Sequence, residues 1–226
     1  MTKETTWGKE RAELFAKPIK KMASPVYAAL ARRSTADLTQ NKDNPIVLDL
    51  GSGPGFLMIE IKRLSPQTHL IGVDPSEPML KIARENADAA RFKDIETRVG
   101  RAEKIPVDSK TVNLLVSQWS LHDWDDPKKG FSEISRVLKP NGVVIISDWD
   151  RAYPIWRFYR HNLDLMRRAG WKRAKEARNS YRHSYAFDDV LDLLRQFQLE
   201  PVESESNKPI FFVKAVKRGR SKGQRA

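Results

Sequence analysis

The 226-residue chain contains no cysteine. That excludes a disulfide framework, a cysteine-ligated zinc and a thiol nucleophile. It also lacks any apolar run approaching the roughly eighteen residues of a membrane span, and Met1 to Thr5 carry no apolar core of a signal peptide. The expectation is a cytoplasmic, soluble protein. Acidic residues are the third shortage: 29 Asp and Glu face 41 Lys and Arg, for a net charge of +12.

The acid deficit is local. Residues 41–150 hold fifteen basic and seventeen acidic side chains, whereas residues 151–183 hold ten basic ones against only Asp164 and Glu176. The length accommodates one full α/β domain with a sizeable core. We expect a single domain over residues 1–216, with N-terminal helices over 1–40, a basic helical insertion over 152–183 and a basic tail over 217–226.

What is present begins with Ile46 to Leu50, a short β-branched and leucine-rich run suited to a strand covered on both faces. It breaks into Gly51-Ser52-Gly53-Pro54-Gly55, and a helix starts at Phe56. Glycines there permit turns other residues resist and let a ligand approach the main chain, while the helix aims its free N–H groups at the same spot. The glycine pattern alone fits a ligand-free turn as well. Spacing narrows the choice: G-x-G-x-G differs from the dinucleotide pattern G-x-G-x-x-G, because Phe56 stands where the third glycine belongs. The next apolar run, His69 to Val73, ends in Asp74, where a carboxylate can accept ribose hydroxyls. An adenosine-containing ligand fits both features.

Alternating strand and helix patterns continue to Ile146, which implies a parallel sheet. Strands are expected near 46–50, 69–73, 96–99, 112–117 and 142–147, and helices near 55–64, 76–90 and 127–138. Residues 8–40 read as one or two helices broken near Pro18 and Pro25, covering the cleft. Two terminal strands, Leu199 to Ser204 and Ile210 to Val216, look like a hairpin forming an antiparallel edge.

Four segments in order, VLDLGSGPG at 47–55, GVDPSEPML at 72–80, GRAEKIP at 100–106 and the run from Asn113 to Trp149, make the chain resemble the class I S-adenosylmethionine-dependent methyltransferases. The likeness is to the branch that includes ubiquinone and menaquinone biosynthesis enzymes. It implies a Rossmann-like α/β fold with a seven-stranded, mostly parallel sheet, an antiparallel last strand, N-terminal helices and a helical lid between strands 5 and 6. It also implies S-adenosylmethionine as cofactor. By this resemblance Gly51, Ser52, Gly53 and Gly55 form the cofactor turn, with Asp49 near the methionine ammonium group. Asp74 holds the ribose, Pro75, Ser76 and Met79 flank sugar and adenine, Ala102 and Glu103 border the adenine edge, and Ser117, Gln118 and Trp119 face the methionine end. Many relatives have an acidic residue where this chain has Arg101, which offers only donors.

Methyl transfer from a sulfonium needs alignment more than catalytic side chains. His122 is the candidate general base, set against a role in packing the loop. Asp123, Asp125 and Asp126 suit a cation on composition, but Asp125-Asp126-Pro127 reads better as a helix cap, so no metal is expected. Trp124, Asp148, Asp150, Trp156, Arg157, Tyr159 and Arg160 are candidate acceptor contacts. A helix from about Pro154 to Ala169 places Arg157, Arg160, Asp164, Arg167 and Arg168 on one side and Trp156, Tyr159, Leu163 and Met166 on the next, so its apolar side is expected to cover the cleft as a lid. A small-molecule acceptor, with an anionic one among the candidates, is the first expectation; nucleic acid, bound by the basic lid and tail through arginines interleaved with aromatic rings, is the second, and a cofactor-binding protein without catalysis the third. Oligomeric state is not deducible from these residues.

Overall fold

A computed structural model describes residues 8–36, 38, 44–157, 160, 171–206 and 209–219. Its centre is a seven-stranded sheet of β1 (Ile46–Leu50), β2 (His69–Asp74), β3 (Ile95–Val99), β4 (Val112–Gln118), β5 (Leu138–Trp149), β6 (Leu199–Glu205) and β7 (Ile210–Lys217). The order is β3-β2-β1-β4-β5-β7-β6. β1 pairs in parallel with β2 on one side and β4 on the other, so the chain's winding reverses between β1 and β4. In open α/β sheets that reversal leaves a crevice outside the strands' carboxyl ends.

Helices cover both faces. On one lie α1 (Lys9–Thr35), α2 (Phe56–Leu64) and α3 (Glu77–Ala89), which share a core of Tyr27, Leu30, Leu57, Met58, Ile61 and Ala83. On the other lie α4 (Pro127–Val137) and α6 (Phe187–Gln196), which bury Phe131, Ile134, Val137, Val190 and Leu194 against the sheet. Between β5 and α6 stands α5 (Trp171–His183).

Two expectations need correction. α1 is one helix of 27 residues that runs through both Pro18 and Pro25. Each proline costs a hydrogen bond and a clash, but Ala12, Ala16, Tyr27, Leu30 and Ala31 are buried along the helix and favour its continuation. The terminal strands do form the expected antiparallel hairpin: β7 lies between β5 and β6, antiparallel to both, with β6 at the edge. The second correction is at β5, which starts well before 142: α4 ends at Val137, and Leu138 is already extended and pairs with Val112.

Candidate functional site

The turn after β1 is built from backbone angles that only glycine adopts readily. Gly51, Gly53 and Gly55 have φ of 76°, 49° and 78°. At Gly51 a Cβ would stand 2.0 Å from Ser120 Oγ, so the loop after β4 closes directly on the turn. At Gly53 a Cβ would meet nothing within 4 Å, and this residue faces a cavity. Val73 O accepts the amides of Gly51 (2.7 Å) and Ser52 (3.1 Å), which ties the turn to the end of β2.

Two carboxylates lie beneath the turn. Asp49, only 2 % exposed, has its carboxyl pushed up to about 8, chiefly by burial and then by Asp74. Asp74 takes Gly53 N at 2.9 Å on one oxygen and Ser76 N at 2.8 Å on the other. Burial still raises it to about 6 against those two backbone donors, and Asp123 adds to the rise. Asp49 Oδ2, Ser52 Oγ, both polar atoms of the Gln118 amide and Trp119 Nε1 are buried without a hydrogen-bond partner among the described residues. Such groups are costly to leave unpaired, so a cluster of them around one cavity marks a place for a ligand.

The wall beyond Gln118 is aromatic. Trp119, with φ of 53°, stacks on Trp149 at 6.1 Å between centroids and meets Tyr27 edge-on at 5.7 Å. Burial and the nearby Asp49 raise the Tyr27 phenol above its usual range. Phe15 and Tyr27 of α1 line the cavity, as expected of the N-terminal segment, although neither residue stands out in the sequence as a site residue.

At the other end the loop after β4 crosses to the loop after β3. Glu103 Oε1 accepts the amides of Asp125 (2.8 Å) and Asp126 (3.1 Å), and Arg101 donates to Asp125 Oδ2 at 2.9 Å. Trp124 donates to Ser120 Oγ at 3.0 Å and packs on Phe131. Asp126 caps α4 by accepting from Lys129 N, so the aspartate of this cluster next to Pro127 does cap the helix. Among the described residues no group of three or more His, Asp or Glu is arranged to hold a metal ion.

Of the residues expected at the cofactor, Asp49, Gly51, Ser52, Gly53, Asp74, Pro75, Met79, Ala102, Glu103, Gln118 and Trp119 line this one cavity, and so does Trp124. Gly55, Ser76 and Ser117 stand behind it. Gly55 precedes the first turn of α2, Ser76 caps α3 by accepting from Met79 N, and Ser117 Oγ donates to Leu50 O, joining β4 to β1.

His122 and Asp148 do not open on the cavity either. The Asp148 carboxylate takes His122 N at 3.1 Å, His122 Nδ1 at 2.8 Å and Trp149 N at 2.7 Å, and so joins the β4 loop to β5 beside the Trp119–Trp149 stack. Asp150 is likewise consumed internally, by Ala152 N, Phe187 N and Ser206 Oγ.

Only the start of the expected lid helix lies among the described residues. Residues 155–157 and 160 are helical, while Tyr159, Leu163, Asp164, Met166, Arg167 and Arg168 lie outside the described residues. Trp156 is 57 % exposed, and the guanidinium carbons of Arg157 and Arg160 lie 5.0 and 5.7 Å from its ring centroid. None of these three lines the cavity. An indole carrying two cations on the surface does not pack into the cleft.

Comparison with known proteins agrees with the geometry. The family model described as a methyltransferase domain matches residues 41–192. An arsenite methyltransferase of Halobacterium salinarum is 37 % identical over 103 residues, which cover 45 % of this chain and 26 % of that protein. A demethylmenaquinone methyltransferase of Symbiobacterium thermophilum is 33 % identical over 116 residues, 50 % of this chain and 45 % of that one. The chain thus spans half or less of these relatives' lengths. A crystal structure of a S-adenosylmethionine-dependent methyltransferase from Aquifex aeolicus superposes with a TM-score of 0.65, covering 89 % of this chain and 97 % of that one at 22 % identity. The chain belongs to the methyltransferase-domain family and has the class I, S-adenosylmethionine-dependent methyltransferase fold.

Proposed function

We propose that this chain transfers the methyl group of S-adenosylmethionine to a small-molecule acceptor. The observation that carries the reading is the set of unpartnered buried groups around the glycine turn. Asp49 is nearly inaccessible and is held protonated near neutrality, so it gains most from a cationic partner. The ammonium group of the cofactor's methionine part is such a partner. Ser52 and Gln118 supply the donors and acceptors its carboxylate and amine need. Asp74, at the end of β2, is the ribose residue, and its two backbone bonds leave further lone pairs on each oxygen.

When bound, the cofactor supplies a methyl group on a positively charged sulfur, and an acceptor lone pair displaces the neutral thioether in line. The chain's own part is to orient the acceptor and keep water out. Tyr27 and Trp119, the latter backed by Trp149, form an apolar wall at the methionine end, suited to a flat or apolar acceptor, and the Trp119 indole N–H is free to orient a polar atom on it. The described lining carries Asp49, Asp74, Glu103, Asp123 and Asp125 against Arg101 as its one cationic side chain. Within this described lining an anionic acceptor therefore finds only Arg101 as a cationic partner.

The test is calorimetric titration with S-adenosylhomocysteine and with NAD, followed by incubation of labelled cofactor with extract separated into small-molecule, RNA and protein pools. Binding of S-adenosylhomocysteine alone and label in the small-molecule pool are expected. Binding of NAD, or no binding of either, would overturn the reading. A second reading, RNA as acceptor, is favoured by the exposed Trp156 with Arg157 and Arg160 on its face, an arrangement on which an unpaired base can stack. Label in the RNA pool, together with salt-sensitive RNA association that Trp156→Ala weakens, would favour it.

A further inference from the structure

We propose that Asp125, pinned in place by Arg101, recognises the exocyclic amino group of the cofactor's adenine. This rests on S-adenosylmethionine being the ligand. The order of strand ends along the cavity fixes which end receives the base. Gln118 and Trp119 follow β4, Gly51 to Gly53 follow β1, Asp74 ends β2, and Gly100 to Glu103 follow β3, in the order β4, β1, β2, β3 along the sheet. With the ammonium at Asp49 and the ribose at Asp74, the base points onward to the β3 loop.

The polar side chains that follow or bond the β3 loop are Arg101, Glu103 and Asp125, while Asp123 also lines the cavity and acts on Asp74. An adenine amino group is a donor and needs an acceptor. Arg101 has five N–H groups and no acceptor. One oxygen of Glu103 is already shared by the amides of Asp125 and Asp126, and this double bond fixes the crossing loop. Asp125 remains. Its carboxylate offers about four lone-pair sites, of which the 2.9 Å bond from Arg101 takes one. Its side chain is 29 % exposed, and the charge-assisted bond from the guanidinium orients it. Asp125 follows β4 and reaches the β3 end only because Glu103 and Arg101 hold the loop across the intervening strands. Arg101 is therefore a positioning residue, and Asp125 is the one that touches the base.

The experiment measures the affinity of the full chain for S-adenosylhomocysteine and for its deaminated form, in which a carbonyl replaces the amino group. Wild type is expected to prefer the amino form at least tenfold, because a site built to accept a hydrogen bond rejects an analogue presenting another acceptor. Asp125→Asn should bind S-adenosylhomocysteine about tenfold more weakly and the deaminated form more tightly, since the carboxamide can donate to the carbonyl. Arg101→Ala should lower the preference about threefold with the deaminated form unaffected. An Asp125→Asn chain that binds S-adenosylhomocysteine as wild type does, or that loses both ligands in equal proportion while melting normally, would overturn the proposal. Wild type that binds neither ligand would instead remove the cofactor assignment beneath it.

Discussion

The two charged regions of this molecule do opposite things with their charge. The cavity at the strand ends gathers five carboxylates around one arginine, and every one of them is placed by a strand end or a loop tied to one. Residues 151–183 gather ten basic side chains against two acidic ones, and those described at the start of the segment lie on the surface around an exposed tryptophan. Two of the five carboxylates, Asp49 and Asp74, are buried, and buried carboxylates are costly, so they persist where a ligand compensates them. Exposed charge of one sign costs little in water and instead acts at a distance on whatever approaches. The first region reads as a site with its ligand's charge written into it, and the second as a surface awaiting a partner.

The largest expected effect tests the first half of that contrast. Asp49→Asn keeps the side chain's shape and removes its charge. A hydrogen bond to a charged group contributes about 1.5–3 kcal/mol, so affinity for S-adenosylhomocysteine should fall roughly 10- to 100-fold by calorimetry. The same substitution removes a carboxylate whose ionisation is disfavoured by burial, so the free protein should melt at a higher temperature than wild type at pH 8. Weaker binding with greater stability is the signature of a ligand-compensated site. A loss of both would make Asp49 an ordinary structural residue.

A pH series should show the same linkage without mutation. The Asp49 carboxyl lies at about 8 in the folded protein against 3.8 as its ordinary value, and Asp74 at about 6. Because both folded values are raised, the unfolded chain ionises first. The stability these protonated groups contribute is complete below about pH 4 and is lost as pH rises through 6 to 8. The free protein should accordingly melt at progressively lower temperature from pH 5 to 8. Affinity for the cationic cofactor should rise over the same interval, because a neutral Asp49 attracts it less. A melting temperature that climbs from pH 5 to 8 would show that other groups outweigh this pair.

How much of this was legible in the sequence follows from how local each feature is. The glycine turn, Asp74 and the cap at Asp126 are set by residues within a few positions of one another, and each stands where the spacing puts it. Gly55, Ser76 and Ser117 belong to the same motifs but serve the turn from behind, because a motif mixes the groups that face a ligand with those that hold them. Tyr27 and Asp125 were not legible as site residues. Each reaches the cavity through tertiary packing, one along a helix that runs through two prolines and the other along a loop that crosses the sheet edge. The insertion of β7 between β5 and β6 is likewise a matter of pairing between distant strands.

His122 offers a smaller effect. Its ring and backbone both bond Asp148, which also takes Trp149 N, so the pair fixes the loop carrying Trp119. His122→Ala leaves a buried carboxylate without one of its partners and should cost about 1–3 kcal/mol of stability, read by urea unfolding. If the pair is a strut, the turnover number should keep its pH profile. A lost acidic limb in that profile, with stability unchanged, would return His122 to the role of general base.

The smallest effect on the cofactor is expected from the basic surface. Arg157 and Arg160 flank Trp156 outside the cavity, so replacing both with alanine should change affinity for S-adenosylhomocysteine less than twofold. Exposed cation–π contacts are worth about 0.5–1 kcal/mol, so the melting temperature should move little. What should move is association with an acidic or single-stranded polymer. Each lost contact to a phosphate lowers the salt dependence of binding by somewhat under one logarithmic unit, so the double variant should show a visibly shallower slope in a filter-binding series. If cofactor affinity fell as sharply as it does for Asp49→Asn, the surface arginines would be coupled to the cavity, and the two regions would have to be treated as one site.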